Sequence, residues 1–423
     1  MEVQKSTIII PIRTELEMAK LAVKYAKKNQ SIEHDYILIY DKNNSKETTP
    51  IIEGTIQLFP KDSDVLKPMI ERHGLMNLVE YGIKNVKTDY FIYQHADQIA
   101  GPNFDKELFK YMAPKTTVCG TRIEPKIFNG DRAKFQEECG LEAFDFDYNK
   151  FESACKKYSE DKVVEGLFAP HLFKTDEWIN YDMNFAPQSR EETDLAMTLL
   201  KNNYKLLNSR SAMFYHFAGR GSRRKNDPIK DSDEWKKSNY KNERNFIRKW
   251  RQPILTNEYC MPIKLDFKET VALGIGFKYD DNPELVKKFL RYHEPYFDKV
   301  YISIDSTKNP ETIINTINNY IQEEASICEI FDPLKFTISL LPLNDDFSAM
   351  RNNIMNMNKC DWILQMDPDE FIDLNDLQNI RELVKQANNQ KTINVLGLPR
   401  VNFIDNKIVN DLERDARGNF IGV

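Results

Sequence analysis

The sequence predicts an α/β protein with two tandem domains, each built on a mostly parallel central sheet with flanking helices. The chain of 423 residues is longer than one hydrophobic core usually supports. Two stretches, residues 89–97 and 361–369, start 272 residues apart and share one pattern: an acid and an aromatic residue open an apolar run that closes on an acid. Strand-like and helix-like segments alternate before each stretch, as in parallel sheets with crossover helices. We therefore expect one domain over residues 1–262 and a second over residues 263–423.

The elements of the first half follow from local patterns. Residues 7–12 are β-branched and apolar and predict a strand, and residues 15–28 carry apolar side chains at helical spacing. A second strand, residues 35–40, ends at Asp41 and a polar, turn-forming loop. The remaining predictions are a helix at 76–86, a strand at 90–94, a helix at 106–112, a strand at 117–121, a less regular stretch reaching residue 181, a helix at 194–202 and a strand at 211–216.

The second half repeats this layout. We predict strands at residues 271–277, 299–304 and 362–366 and helices at residues 284–293 and 347–357. In the first half 56 residues separate Asp41 from Asp97, and in the second half 64 separate Asp305 from Asp369. Only 54 residues of this sequence follow Asp369, so the second domain is expected to be incomplete at its C-terminus.

The composition is that of a soluble globular protein. Hydrophobic residues make up 41% of the chain and the mean hydropathy is −0.58. A net charge of −6 disfavours nucleic acid as a partner. No apolar run approaches the ~18 residues that a spanning helix needs, and the N-terminus has no signal-peptide pattern. With six cysteines and no C-x-x-C pair, we expect a cytoplasmic protein with reduced thiols and no transmembrane segment.

Residues 220–251 form a strongly basic segment, with twelve Lys and Arg residues against five acids. Such a run is typical of a solvated helix face, and it also suits a phosphate-bearing ligand. Arg220, Arg223 and Arg224 follow a glycine turn, and guanidinium groups pair well with phosphate oxygens. The sequence leaves both interpretations open.

Acidic residues stand at the predicted carboxyl ends of strands in both halves. Asp97 closes the pattern of the first half, and Asp367 and Asp369 close that of the second. Ligands of α/β folds bind at this edge of the sheet. Carboxylates there can hold Mn²⁺ or Mg²⁺ against the phosphates of a nucleotide. The sequence therefore predicts nucleotide binding with Mn²⁺ or Mg²⁺ as the cofactor.

The order of these landmarks resembles the family-2 glycosyltransferases of the GT-A fold. In the first half the resemblance rests on Ile8-Ile-Ile-Pro11, the strand ending at Asp41, His95-Ala-Asp97 with Pro102 after it, Glu191-Glu-Thr-Asp-Leu195, Tyr215-His216 and Phe246-Ile-Arg-Lys-Trp250. In the second half, Asp346-Phe-Ser348, Arg351-Asn352 and residues 361–370 resemble a separate branch, whose members often glycosylate bacterial surface polysaccharides. The resemblance implies two tandem GT-A domains and a nucleotide-diphosphate sugar donor. It also implies an acceptor hydroxyl on a glycan, a lipid-linked glycan or another molecule.

The resemblance further implies roles for single residues. Asp41 is expected to contact the uracil or ribose of the donor, and Asp97 to hold the metal and the diphosphate. His95 stands where the family usually has an aspartate, and His216 matches a family histidine that reaches the metal or the diphosphate. The implied donor-binding residues are Pro11, Arg13, Asp41, His95, Asp97, Arg220 and Asp305, and the implied metal ligands are Asp97, His216, Asp367 and Asp369.

Glu192 falls where the family places its catalytic base. The base takes the proton of the acceptor hydroxyl as that hydroxyl attacks the anomeric carbon. Since Glu is one methylene longer than the family's usual Asp, either Glu191 or Glu192 can fill the role. Asp194 is better suited to the charged first turn of a helix. The expected activity is an inverting, metal-dependent glycosyl transfer in glycan or polysaccharide synthesis.

Two other functions stand beside this one. Sugar-1-phosphate nucleotidyltransferases share the sheet architecture, but they cradle a triphosphate in a glycine-rich loop after the first strand. This chain has Pro11-Ile-Arg-Thr-Glu15 at that place, without glycine. A non-catalytic nucleotide-sugar-binding protein is the other alternative, favoured by His95 and by the short second domain.

Overall fold

The structure, a computed structural model, describes residues 4–13, 15–41, 46, 49–61, 74–127, 131–220, 223–224, 227, 230–344, 346–390, 393, 395–397, 402–404 and 407–409. The α-helices in this part are α1 Leu16–Asn29, α2 Leu75–Lys84, α3 Phe104–Phe109, α4 Tyr148–Tyr158, α5 Glu191–Lys201, α6 Asp233–Trp250, α7 Pro283–His293, α8 Glu311–Ile327, α9 Phe347–Met357 and α10 Leu374–Asn389. The strands are β1 Thr7–Ile12, β2 Asp35–Tyr40, β3 Ile56–Leu58, β4 Tyr90–Tyr93, β5 Gln98–Ala100, β6 Thr116–Glu124, β7 Lys134–Gln136, β8 Val163–Glu165, β9 His171–Lys174, β10 Lys205–His216, β11 Val271–Phe277, β12 Lys299–Asp305, β13 Phe336–Leu341, β14 Trp362–Met366, β15 Asn402–Ile404 and β16 Lys407–Val409.

The first half folds around a ten-stranded sheet. One side of it runs in the order β3-β2-β1-β4, and all neighbours there are parallel. Beyond β4 the order continues with β9, β6, β10 and β5, where β9 is antiparallel to β4 and β6, and β5 is antiparallel to β10. Strand β6 is parallel to β10. The predicted α/β fold with a central parallel sheet is confirmed, and antiparallel strands extend that sheet.

The second half contains a four-stranded, fully parallel sheet in the order β13-β12-β11-β14. Strands β11, β12 and β14 take the same relative places in this sheet as β1, β2 and β4 do in the first sheet. Asp41 follows β2, and Asp305 ends β12. The sequence repeat is therefore a repeat of topology, with corresponding acids at corresponding strand ends.

Strand β1 is buried along its whole length, and its side chains alternate between two cores. Ile8 and Ile10 belong to a hydrophobic cluster that includes the apolar face of α1, and Ile9 belongs to a second cluster with residues of α2 and α5. Alternation of side chains across a strand explains this division. The run of four isoleucines and a proline in β1 is therefore that of a central parallel strand, covered on both faces.

Helix α6 joins the two halves through a buried cluster of charged side chains. Arg244 and Arg248 extend from its C-terminal half towards Glu294 and Glu324 of the second half. The Nη2 atom of Arg248 lies 2.5 Å from Oε2 of Glu294 and 2.8 Å from Oε2 of Glu324. Lys335 also pairs with Glu294, which is fully buried. Arg244 and Arg248 of the basic segment thus form internal ion pairs.

Most predicted elements agree with the structure to within two or three residues. The strands at 7–12, 35–40, 271–277 and 362–366 and the helix at 347–357 have the predicted bounds. The stretch that we expected to be less regular contains helix α4 and strands β7, β8 and β9. These strands have only three or four residues each, too few for a periodic signal. Helix α8, strand β13 and helix α10 were not assigned from the sequence.

In the described residues, no helix combines the length and the apolar character that crossing a membrane requires.

Candidate active site

A cavity of about 750 Å³ opens where β1, β2 and β4 end at their carboxyl edge. It brings together most of the side chains that the sequence singled out. Those that line it are Pro11, Arg13, Asp41, His95, Asp97, Glu191, Glu192, His216 and Arg223. The volume is in the range of small-molecule binding sites.

Topology explains how distant residues meet in this cavity. Asp41 directly follows β2, and the loop between β4 and β5 carries His95 and Asp97. Strand β10 is antiparallel to β5, with His216 opposite Gln98. The last residue of β10 is therefore brought next to the acidic tip, although 119 positions separate Asp97 from His216.

His95, Asp97 and His216 form a cluster that could hold a metal ion. One ligating atom from each of them lies within 4.8 Å of the others. Oδ2 of Asp97 accepts hydrogen bonds from the backbone N–H groups of Gly219 and Arg220, both at 3.0 Å. These bonds fix the orientation of the carboxylate before any ligand arrives.

The ionisable groups of the cluster and the neighbouring Glu124 shift one another's pKa values. Burial lowers the pKa of His95 and keeps its imidazole neutral. For His216, burial acts in the same direction, but the carboxylates of Asp97 and Glu124 outweigh it and raise the pKa to about 9. Although burial opposes it, the pKa of Asp97 is lowered, chiefly by His216. Asp97 is thus held as a carboxylate.

The donor set fits a divalent cation, provided that Nε2 of His216 releases its proton when the cation binds. Nδ1 of His216 lies 2.7 Å from Glu124, whereas its buried Nε2 has no hydrogen-bond partner among the described residues and lies 3.5 Å from Asp97. A carboxylate behind a histidine is the usual second layer of a metal site, since it orients the ring. Two imidazoles and one carboxylate suit Mn²⁺ better than Mg²⁺, which prefers oxygen ligands.

Glu191 and Glu192 enter the cavity from the first turn of α5. The two preceding residues, Ser189 and Arg190, have positive φ angles of 78° and 66° and turn the chain sharply into the helix. Oε1 of Glu192 accepts a hydrogen bond of 3.0 Å from the backbone N–H of Ala169. Burial and the charge of Glu192 raise the pKa of Glu191 to about 8. The carboxyl group of Glu191 therefore holds its proton at neutral pH.

Residues 7–169 match the family model described as glycosyl transferase family 2. This segment, 163 of the 423 residues, is similar to glycosyl transferase family 2. The match covers the strand ends that carry Asp41 and Asp97, and it stops before Glu191, Glu192 and His216. The matched segment thus contributes the edge of the cavity that carries Asp41 and Asp97.

The crystal structure of S. aureus TarS is among the solved structures that resemble this chain. The two share 11% sequence identity, and the superposition covers 60% of this chain and 41% of the TarS chain with a TM-score of 0.36. This chain therefore spans less than half of TarS, and the likeness is too weak to carry an argument. A search of curated proteins found no match to the sequence.

Some predicted donor-binding side chains lie outside the cavity of the family-2 segment. The guanidinium of Arg220 pairs with Glu142 at 2.5 Å and donates to the backbone carbonyl of Arg224 at 2.6 Å. Its backbone N–H, rather than its side chain, contacts Asp97. Arg223 lines the cavity instead, with its guanidinium over the ring of Trp235.

Asp305, Asp367 and Asp369 belong to the edge of the second sheet. Asp305 accepts hydrogen bonds from Thr307 and from the backbone N–H of Leu343. Asp367 is half-exposed and pairs with Arg351 at 3.3 Å. Among the residues that the structure describes, no three metal-binding side chains cluster at this edge as they do in the first half.

Sequence reasoning missed Arg122, Glu124 and Phe168, which also line the cavity. Arg122 and Glu124 stand two positions apart near the end of β6, a strand that the sequence analysis ended at residue 121. Charged residues at alternate positions of an otherwise apolar strand share one face of the sheet. That spacing was the available signal for a polar site at this strand end.

Proposed function

We propose that this protein transfers a sugar from a nucleotide-diphosphate sugar to an acceptor hydroxyl, with inversion at the anomeric carbon. The observation that carries the proposal is the meeting of two groups in one cavity. The His95, Asp97 and His216 cluster and the carboxylates of Glu191 and Glu192 all line it, at the edge of a family-2 segment. Cation binding and proton removal are the two tasks of such a transfer.

The donor half of the cavity is proposed to consist of Pro11, Arg13, Asp41 and the metal cluster. Asp41 is 3% exposed, and Nε of Arg13 lies 3.8 Å from it. We propose that Asp41 contacts the nucleoside and that the ligands of a divalent cation are His95, Asp97 and His216. When bound, such a cation offsets the negative charge that develops on the leaving diphosphate.

Glu192 is the proposed base. In the transfer, the acceptor oxygen forms the new bond to the anomeric carbon, and the bond from that carbon to the diphosphate breaks. The bonding electrons leave with the diphosphate, and the proton of the hydroxyl passes to the Glu192 carboxylate. The hydrogen bond from the backbone N–H of Ala169 to Oε1 holds this carboxyl group in place in the cavity. Glu191, with its pKa raised to about 8, is the weaker candidate because its carboxyl group holds a proton at neutral pH.

Calorimetric titration with a panel of nucleotide sugars, first with Mn²⁺ and then with a chelator, tests the donor and metal parts of the proposal. We expect one donor to bind in the presence of Mn²⁺ and to bind weakly or not at all after chelation. Incubation of that donor with acceptors, followed by NMR of the product's anomeric proton, then tests inversion. Binding of a donor without transfer or hydrolysis would favour the non-catalytic alternative, and metal-independent binding would refute the assigned cation site.

A further inference from the structure

Gln98 is a fully buried glutamine at the start of β5, directly after the loop that carries His95 and Asp97. Burying a side-chain amide costs free energy unless its polar atoms form hydrogen bonds. The backbone N–H of Gln98 donates to the carbonyl of His95 at 3.2 Å, and its side-chain Oε1 accepts from the backbone N–H of His95 at 2.9 Å. Gln98 therefore holds both backbone polar groups of His95.

The other end of the same amide reaches the segment that holds the proposed base. Nε2 of Gln98 donates to the backbone carbonyl of Ala169 at 2.6 Å. The backbone N–H of Ala169 in turn donates to Oε1 of Glu192 at 3.0 Å. A path of hydrogen bonds thus runs from the backbone of His95 through Gln98 and Ala169 to the carboxyl group of Glu192.

The partners of Gln98 fix the orientation of its amide. A backbone N–H only donates and a backbone carbonyl only accepts, so Oε1 has to face His95 and Nε2 has to face Ala169. The backbone of Gln98 also stands opposite His216 in the antiparallel pairing of β5 with β10. Gln98 therefore has a fixed relation to two residues of the metal cluster and, through Ala169, to the base.

The metal cluster has further supports that do not involve the Gln98 side chain. Two backbone N–H groups of the glycine turn hold the carboxylate of Asp97, and Glu124 holds the ring of His216. These supports remain when the Gln98 side chain is replaced, whereas the path to Glu192 is broken. The loss of Gln98 should therefore affect the place of the base more than the binding of a cation and donor.

We propose that Gln98 is a positioning residue, which sets the place of the Glu192 carboxyl group relative to the cluster of His95, Asp97 and His216. Transfer requires the base, the acceptor hydroxyl and the leaving diphosphate in one geometry, and a displacement of about 1 Å can cost on the order of 10²-fold in rate. The described residues that line the cavity do not include Gln98, so it acts through its neighbours. This inference rests on the proposed function and adds the residue that sets the geometry of its site.

Gln98→Met is the first test. Methionine has a similar length but no amide, so the backbone groups of His95 and Ala169 lose their bonds to the side chain. With Mn²⁺, the donor found by calorimetry and an acceptor, we expect kcat to fall on the order of 10- to 100-fold. The dissociation constant of the donor should stay within about threefold of the wild-type value. A parallel loss of donor binding, or an unchanged kcat, would overturn the inference.

A double-mutant cycle with Glu192→Gln separates positioning of the base from a general loss of stability. Changes that act through one group are not additive, whereas the effects of independent changes multiply. Once Glu192→Gln has removed the base, adding Gln98→Met should change the remaining kcat by less than about twofold. Losses that multiply would overturn the inference.

Thr117→Val is the matched control. Thr117 is fully buried, and its hydroxyl donates to the carbonyl of Leu172 in β9 at 3.0 Å. The variant removes a buried hydrogen bond from the same sheet and leaves the path through Gln98 intact, so kcat should not change. Equal losses of kcat in Thr117→Val and Gln98→Met would overturn the inference. Gln98→Asn, one methylene too short to reach both partners, repeats the test should Gln98→Met not fold.

Hydrogen exchange at the amide of Ala169 follows the same path without metal, donor or turnover. This N–H donates to Glu192 and should exchange slowly in the wild type. Gln98→Met should raise its exchange rate at least about tenfold, and Thr117→Val should leave the rate unchanged. Equal exchange in the wild type and in Gln98→Met would overturn the inference.

Failure of the proposed function gives a different result. In that case the wild type transfers no sugar from any donor, and the proposed function and the role of Gln98 fail together. If the wild type transfers a sugar and Gln98→Met transfers it equally well, only the positioning role fails.

Discussion

Replacing Glu294 by Gln tests the buried ion cluster that joins α6 to the second half. Glu294 is fully buried and pairs with Lys335 and Arg248. Burial alone would raise the pKa of its carboxyl group, but Lys335 and Arg248 lower it from 4.5 to about 2. A shift of this size corresponds to about 3 kcal/mol of stabilisation of the folded state at neutral pH. Removing one partner of a buried ion pair typically costs about 3–5 kcal/mol, in agreement with that value.

The assay is urea unfolding at pH 7, followed by circular dichroism and tryptophan fluorescence. We expect Glu294→Gln to lower the free energy of unfolding by about 3 kcal/mol, because the amide leaves the buried Lys335 without a carboxylate and leaves Arg248 with Glu324 alone. The control is Glu323→Gln, which removes a pair with Lys287 in which Glu323 is half-exposed. Such surface pairs contribute less than about 1 kcal/mol. Equal, small losses in both variants would refute the reasoning.

The pH dependence gives an independent check. Because the folded-state pKa of Glu294 lies below its unfolded value of about 4.5, its stabilisation is fully present above that pH. It is lost as the pH falls towards 2, where the folded state also takes up the proton. The difference between wild type and Glu294→Gln should therefore shrink below pH 4.5. A difference that stays constant down to pH 3 would contradict the assigned pKa.

The other predictions concern the cavity. Asp97→Asn should weaken Mn²⁺-dependent donor binding in calorimetry at least tenfold, on the order of the loss expected when a metal ligand's environment is disturbed. Asp369→Asn should leave donor binding unchanged. The reverse result would move the donor site to the second half. Glu192→Gln should reduce transfer by 10²-fold or more, on the scale of general-base catalysis, with donor binding retained, and undiminished turnover would reject Glu192 as the base. The pKa of Glu191 is raised to about 8, so between pH 4.5 and pH 8 the folded state holds a proton that the unfolded chain has released. Glu191 should therefore make the free energy of unfolding fall by about 1.4 kcal/mol for each pH unit across this range. Glu191→Gln should flatten that slope in a series of urea titrations, and an unchanged slope would contradict the assignment.

The sequence predicted the strands and helices best where burial follows a simple local rule. Strand β1 and helix α9 have the predicted bounds, since an apolar run or a helical repeat of apolar residues is visible in a short window. The three-residue strands β7 and β8 fall below that window and were missed. They exist because they pair with the edges of β6 and β10, which is a tertiary effect.

The residues of the candidate site also divide into those that local sequence predicts and those that only the tertiary structure brings together. Asp41 and Asp97 were predictable because they follow buried strands, and parallel strands bring their carboxyl ends to one edge. Glu124 and His216 were not predictable as a pair, because their 2.7 Å contact joins residues 92 positions apart. The side chain of Arg220 was expected to face the diphosphate, but it pairs with Glu142, while its backbone contacts Asp97.

By itself the sequence determined the α/β class, the repeated layout of two halves and the acids at the strand ends. These features depend on side-chain periodicity and strand polarity, which are local properties of the chain. The tertiary structure decided that His95 and His216 gather with Asp97 in a cavity at the edge of the first sheet. It also decided that Arg122 and Phe168 lie beside Glu192, and that α6 connects the halves through buried charges. Such contacts depend on how strands and helices pack at long sequence separation, where no short window of sequence contains both partners.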